Sequence, residues 1–402
     1  MSWALRNTLW ASAFVIIPFI YITLRLYFSA KLLYPQHAGK AKYLVWVPVA
    51  WVNIFPLLML FYYFKGTLLD ELVYKSSTSA MDYFFLFPFW IGLIIIVEVL
   101  PYFLAAELLQ PILNIFFSRI KEQIRRVLAM LRIGLLVLFI IFVTVTTMTN
   151  TYSVSESSFR IQIDDMPAEF DNLSLTLIAD LQLDRFTQDN KMDEVRELIN
   201  KDKPDLLFFA GDLVTRGKDF IGQGLEVMCD LQAVTERVAC MGDHDYWAEP
   251  VQIASGLHDC GWSFLANAHQ IIDYKGKKIL VTGITYIYSQ RTTPAQLQEL
   301  MEKAPAADLK ILRVHQPSKP VLKYAEMYKY DIFLAGHTHG GQVVFNPFGF
   351  ELTPTRFENQ YYSGFYKKNN MNIFVTNGVG LTMMPLRYGA PAEVINILLK
   401  NK

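Results

Sequence analysis

The chain has 402 residues, of which 52% are hydrophobic and only 18% charged. About a quarter charged is usual for a soluble enzyme, so the composition excludes an ordinary soluble protein along its whole length. The zero formal charge hides a split: residues 1–150 hold 12 Lys/Arg against 6 Asp/Glu, leaving 25 against 31 in 151–402, and no basic patch argues for nucleic acid.

In chain order, four apolar stretches are long enough to cross a bilayer, near 8–28, 43–64, 82–108 and 127–148. The first lacks the small-residue cleavage site of a signal peptide, and three more follow it. The loop after the first carries Arg25, Lys31, Lys40 and Lys42 with no acid. The loop after the third carries Arg119, Lys121, Arg125 and Arg126 against Glu122. The loop after the second mixes Lys65 and Lys75 with Asp70, Glu71 and Asp82. Basic loops stay cytoplasmic, so four spans put both termini outside. The expectation is a multi-pass protein of a cell inner membrane, its C-terminal half extracytoplasmic. Glu98, Glu107 and Arg132 fall in or beside the spans and read as a Glu–Arg pair between helices or as side chains reaching the interface. Pro111 to Arg126 reads as a segment along the inner membrane surface.

Past Asn150 the polar stretch 151–158 reads as a linker. From Phe159 onward, short β-rich runs alternate with helical ones. Strands are predicted at 159–163, 173–179, 206–210, 237–241, 278–283, 310–314, 332–335, 372–376 and 394–399. Helices are predicted at 191–200, 221–230, 251–259, 294–303 and 319–327. Such alternation predicts a layered α/β domain over 151–402, behind a helical domain of about four spans over 1–150. The three cysteines, Cys229, Cys240 and Cys260, show no CxxC spacing and read as buried small hydrophobes.

Several apolar strands end in a residue able to hold a metal: Leu-Ile-Ala-Asp180, Phe-Phe-Ala-Gly-Asp212, Val-Ala-Cys-Met-Gly-Asp243-His244, Ile-Leu-Arg-Val-His315 and Phe-Leu-Ala-Gly-His337. Ligands at the C-terminal ends of buried strands converge on one edge of a sheet. Glycine before Asp212, Asp243 and His337 allows a sharp turn and a close approach to an ion.

These blocks resemble the calcineurin-like metallophosphoesterase superfamily, whose pattern is Asp-x-His, Gly-Asp, Gly-Asn-His-Asp/Glu, a lone His, then Gly-His-x-His. Here they read Asp180-Leu-Gln182, Gly211-Asp212, Gly242-Asp243-His244-Asp245, His315-Gln-Pro317 and Gly336-His337-Thr-His339. Gly-His-Thr-His-Gly-Gly-Gln342, Tyr362-Ser-Gly-Phe-Tyr366, and Asn377-Gly-Val-Gly380 with Pro385-Leu-Arg387 are similar to a membrane-associated bacterial subgroup. That subgroup includes phosphodiesterases and a lipid A precursor pyrophosphatase. The resemblance implies an α/β/β/α sandwich and two divalent ions, one on Asp180, Gln182 and His339, the other on Asp243, His315 and His337, with Asp212 bridging. It also implies a metal-bridging hydroxide as nucleophile and His244 beside the leaving group.

Gln182 stands where the family has His, and Asp243 where it usually has Asn. Carboxylate and carbonyl ligands suit hard cations, so Mn²⁺ or Mg²⁺ is favoured, with Zn²⁺ or Fe as alternatives. Asp245 is assigned to orient His244, and Arg216 to meet a phosphate oxygen. The expected function is hydrolysis of a phosphodiester or phosphomonoester, a lipid-linked one among the candidates, with membrane lipids as partners. The competing reading is a catalytically silent metal-binding membrane module that senses or scaffolds.

Overall fold

A computed structural model describes residues 3–66, 79–187 and 190–401, which form two compact units. The first gathers residues 1–148 with 345–352 and 383–388. The second gathers 149–344, 353–382 and 389–402.

The first unit holds α1 (Trp3–Leu33), α2 (Ala38–Val52), α3 (Ile54–Phe64), α4 (Phe87–Phe116) and α5 (Lys121–Tyr152). Among the described residues, three stretches are long and apolar enough to cross a membrane: Leu5–Leu33, Asp82–Phe116 and Ser118–Tyr152. The fourth expected span is a pair of helices, α2 and α3, bent by 43°. Pro56 lacks the N–H that would bond back across the break to the Val52 carbonyl, and on the α2 side both the backbone N–H and the side chain of Asn53 donate to the Val49 carbonyl, at 3.3 and 2.7 Å. Lys75, Asp70 and Glu71 lie outside the described residues. The 111–126 stretch is not a separate surface segment: α4 continues through Pro111 to Phe116, and α5 starts at Lys121.

A spanning helix has no water to solvate a charge, so charges inside the bundle pair. Glu107 accepts from Arg25 at 2.7 Å and from Arg132 at 2.6 Å, the expected inter-helix pairing. Glu98 makes no such pair; its partner is the Tyr388 hydroxyl, at 2.9 Å.

The second unit is built on two six-stranded sheets. One has the order β1 (Val154–Gln162), β12 (Ala392–Lys400), β2 (Ser174–Ile178), β3 (Leu206–Phe209), β4 (Glu236–Ala239), β5 (Ser263–Phe264). The other runs β10 (Gly364–Lys368), β11 (Met371–Val375), β9 (Ile332–Ala335), β8 (Leu309–Val314), β7 (Lys277–Ile284), β6 (Ala268–Tyr274). Side chains alternate faces with period two, so strands apolar throughout must be covered on both sides. Leu206 and Phe208 face the second sheet, together with Val281, Ile311 and Leu334. Leu207 and Phe209 face away, onto α6 (Asn190–Asp202), α7 (Ile221–Asp230) and, further on, α9 (Pro250–Asp259). The outer face of the second sheet packs on α10 (Pro294–Glu302) and α11 (Lys319–Met327). The layers are α/β/β/α, as expected.

Three strands escaped the sequence reading: β5, β6 and β10. β6 joins β7 through Lys275-Gly276, both at positive φ, a hairpin turn that Lys-Gly signals poorly. The 151–158 stretch is not a linker: Thr151 and Tyr152 end α5, Ser153 connects, and Val154 begins β1. As an edge strand it tolerates serines, whose hydroxyls bond across to Ala392 and Glu393. Cys229 and Cys260 form a disulfide between α7 and the end of α9, against the expectation of free thiols; Cys240 is free and buried. Their Cα atoms are 4.8 Å apart, a separation that helix packing sets and spacing does not reveal.

Candidate metal centre

Each expected ligand follows the C-terminal end of a buried strand. Asp180 and Gln182 follow β2, Asp212 follows β3, and Asp243 opens α8 (Asp243–Trp247) after β4. His315 follows β8, and His337 and His339 follow β9. Where parallel strands end, the chain must turn away, and here it turns hard: Asp180, Gln182, Asp212, His337 and His339 all have positive φ. Non-glycine residues seldom adopt that conformation, and such strain clusters at functional sites. Gly242 is required by proximity, since a Cβ there would fall on the Asp212 carboxylate.

Five of the seven side chains converge in two overlapping groups. Asp243, His315 and His337 present ligand atoms to one another, and Asp180, Asp212 and His315 do likewise. Asp243 Oδ2 lies 3.1 Å from His337 Nδ1 and 3.5 Å from His315 Nε2. Asp212 Oδ2 lies 3.3 Å from His315 Nε2, and Asp180 Oδ1 lies 3.7 Å from His339 Nε2. All are buried except His337, which is partly exposed.

Three features fit this cluster to cations. First, His315 Nδ1 lies 2.7 Å from the Ala210 carbonyl, which can only accept, so Nδ1 carries a proton and Nε2 is the nitrogen turned to the cluster. Second, that Nε2 faces His337 Nδ1 at 3.2 Å, a meeting of ring nitrogens that an ion between them would explain. Third, Gln182 donates through Nε2 to Asp212 Oδ2 at 3.3 Å, while its buried carbonyl oxygen has no hydrogen-bond partner. A buried unsatisfied carbonyl is costly unless something cationic meets it. The family typically binds two divalent metals, and this donor set suits them.

The charges agree. Burial opposes ionisation of Asp212, but His315 and His244 outweigh it and hold the carboxyl well below its usual range. Burial likewise opposes charge on Asp243, and hydrogen bonds from His315 and His337 overcome it. Two further donors fix Asp243: the Tyr288 backbone N–H at 2.6 Å on Oδ1, and Gln316 Nε2 at 2.7 Å on Oδ2. Neither was given a role from sequence. For Tyr288, 45 residues away on a loop after β7, no local signal exists. Gln316 adjoins His315 and could have been noticed.

His244 sits beside the cluster, its backbone N–H donating to Asp212 Oδ1 at 2.8 Å. Its Nδ1 is 2.5 Å from the Thr215 carbonyl, so Nδ1 holds a proton and Nε2 is the free position. Asp245 does not orient it. That carboxylate instead accepts from the backbone N–H groups of Asp212, Leu213 and Gly242 at 2.8–3.0 Å, tying the β3 and β4 turns together. Arg216 is exposed. Two strand ends are capped from below by the fully buried Arg313, which donates to the carbonyls of Phe209 and Ala239.

Residues 173–341 match the family model of the calcineurin-like phosphoesterases. Among curated relatives, an uncharacterized metallophosphoesterase of Bacillus subtilis is 25% identical over 255 residues, covering 62% of this chain and 87% of that protein. A zebrafish transmembrane protein with metallophosphoesterase domain is 24% identical over 251 residues, covering 60% of this chain and 56% of that protein. An Escherichia coli phosphodiesterase is 26% identical over 229 residues, covering 55% and 79%. This chain thus spans little more than half of the zebrafish protein.

Proposed function

We propose that the chain is a membrane-anchored two-metal phosphoesterase acting on a lipid-linked phosphate ester outside the cytoplasm. The premise is plain: the two-sheet unit is a metallophosphoesterase domain, and the protein is a metal-dependent phosphoric ester hydrolase. The observation that carries the proposal is the buried convergence of Asp243, His315 and His337 with Asp180 and Asp212. In this reading Asp180, Gln182 and His339 hold one ion, Asp243, His315 and His337 the other, and Asp212 serves both. Residues 1–150 anchor the catalytic portion, 151–402.

When bound, the ions polarise the phosphoryl group and make water more acidic. The chain does the rest. Asp212 and Gln182, tied to each other, fix the ligand set. His244, held by Thr215 through Nδ1, delivers a proton from Nε2 to the leaving oxygen. With three Asp carboxylates and one amide carbonyl among seven ligands, Mn²⁺ or Mg²⁺ is favoured.

Anchorage is supported by the apolar helices and by the zebrafish relative's description as a transmembrane protein. The extracytoplasmic orientation is supported by the basic loops 25–42 and 119–126, and by the Cys229–Cys260 disulfide, which suits an oxidising compartment. A diester preference is supported by the E. coli relative's description as a phosphodiesterase. A lipid-linked ester is suggested only by the motifs around Gln342, Tyr362–Tyr366 and Asn377–Arg387, which resemble the subgroup that includes a lipid A precursor pyrophosphatase.

The test is the full chain in detergent, loaded with Mn²⁺ and offered bis(p-nitrophenyl) phosphate and a long-chain phosphate ester. Hydrolysis is expected, and its loss with chelator. Metal-loaded protein inert towards every ester would overturn the proposal.

A further inference from the structure

Among the described residues of the two-sheet unit, only Trp247, Tyr288 and Phe357 have aromatic rings at least half exposed, at 56%, 50% and 92%. Trp247 packs on His244 with ring centroids 5.0 Å apart, and Tyr288 on His337 at 5.3 Å. Phe357 adjoins Glu358, which accepts from the Tyr288 hydroxyl at 3.0 Å. The exposed aromatic surface of this unit thus gathers at the metal centre, where it serves a ligand better than it serves folding.

Tyr288 is already engaged. Its backbone N–H holds Asp243, its hydroxyl holds Glu358, and Arg291 lies over its ring, 6.0 Å from the centroid. Trp247 has no such ties. Among the described residues its indole N–H has no hydrogen-bond partner, and its ring contact is with His244 alone. Trp262 shows the contrast: it is buried, and its Nε1 donates to the Met228 carbonyl at 2.9 Å. An indole used for packing goes inside and finds a partner for its N–H, and Trp247 does neither.

Its position follows from α8, a short helix tied at Asp245 to three backbone N–H groups of the β3 and β4 turns. Residues three apart share a helix face, so Trp247 stands on the same side as His244. In the function proposed above, His244 Nε2 gives its proton to the leaving oxygen. The group attached to that oxygen therefore begins beside the imidazole and meets the indole next.

We propose that Trp247 is a stacking platform for the leaving group of the substrate, and that this group presents a flat aromatic ring. This rests on the phosphoesterase reading of the metal centre and on His244 as proton donor. It does not depend on what the other ester arm carries. An aliphatic alcohol laid on an indole gains burial alone. A flat ring adds the offset or edge-on attraction between π-systems.

The experiment uses the full chain in detergent, loaded with Mn²⁺, and two diesters that share a methyl arm: methyl 4-chlorophenyl phosphate and methyl hexafluoroisopropyl phosphate. Their leaving alcohols are of similar acidity, so the demand on His244 is alike and flatness is the main difference. Wild type is expected to prefer the aryl ester at least about fivefold in kcat/KM. Trp247→Leu, bulky and apolar but not flat, is expected to lose most of that preference through a raised KM for the aryl ester. Trp247→Phe, which restores a flat ring, is expected to keep most of it. A wild type without aryl preference overturns the inference, whatever the variants do. Equal loss on both esters in the Leu variant, with the ratio intact, also overturns it and leaves Trp247 as a support for His244. Hydrolysis of neither ester by metal-loaded wild type overturns the phosphoesterase reading itself, and the inference with it.

Discussion

The amide of Gln182 leans on Asp212, donating at 3.3 Å, and leaves its own carbonyl oxygen buried without a partner. A histidine would fill the same place in the family pattern with a ring nitrogen. The substitution has therefore kept a donor atom in the cluster while changing its softness.

Gln182→Leu, close in volume but without the carbonyl, is expected to bind about one ion fewer per chain at stoichiometric Mn²⁺, with hydrolysis falling in step. Gln182→His is expected to keep two ions and shift preference towards Zn²⁺. Elemental analysis of the dialysed proteins reads both. Two full sites in the Leu variant would remove Gln182 from the ligands.

His244→Ala is expected to lower turnover by roughly 10²–10⁴-fold, the usual contribution of a positioned proton donor, with metal content unchanged. Esters with a very acidic leaving group, which need no proton, should lose least. A uniform loss across leaving groups would assign His244 a structural part.

Stability should depend on pH in opposite senses with and without metal. In the metal-free protein burial opposes charge on His315, but Asp212, Asp243 and Asp180 raise its pKa well above the ordinary 6.5. That stabilisation is complete below pH 6.5 and is lost as pH rises through the raised value. Asp243 and Asp212 are held below their ordinary 3.8, so theirs is present above that pH and lost in acid. Metal needs His315 Nε2 bare and displaces the proton. The Tm gained on adding Mn²⁺ should thus widen as pH rises above 6.5. A gap that narrows there would contradict the ligand set.

Reduction of Cys229–Cys260, 31 residues apart, should cost about 3–4 kcal/mol by loop closure. Alkylation with mass spectrometry should find one reactive thiol in the unfolded oxidised chain and three after reduction. Three without reductant would rule out the disulfide in the native protein.

Much of this was legible in one dimension because the relevant signals are local. Continuous apolar runs such as Leu206–Phe209 must be buried on both faces, and an acid or histidine just after such a run must emerge at the sheet's end. That alone marked Asp180, Asp212, Asp243, His315 and His337 and the layered architecture. What stayed hidden depends on partners far away in sequence. Asp245 looked like an orienting group for its neighbour His244, yet three backbone N–H groups from two turns claim it, and a carbonyl 29 residues back holds the imidazole. Tyr288, Cys229 with Cys260, and Glu98 with Tyr388 are likewise pairings across 31 to 290 residues. Composition and periodicity decide which face of an element is buried. Only packing decides which polar atom meets which.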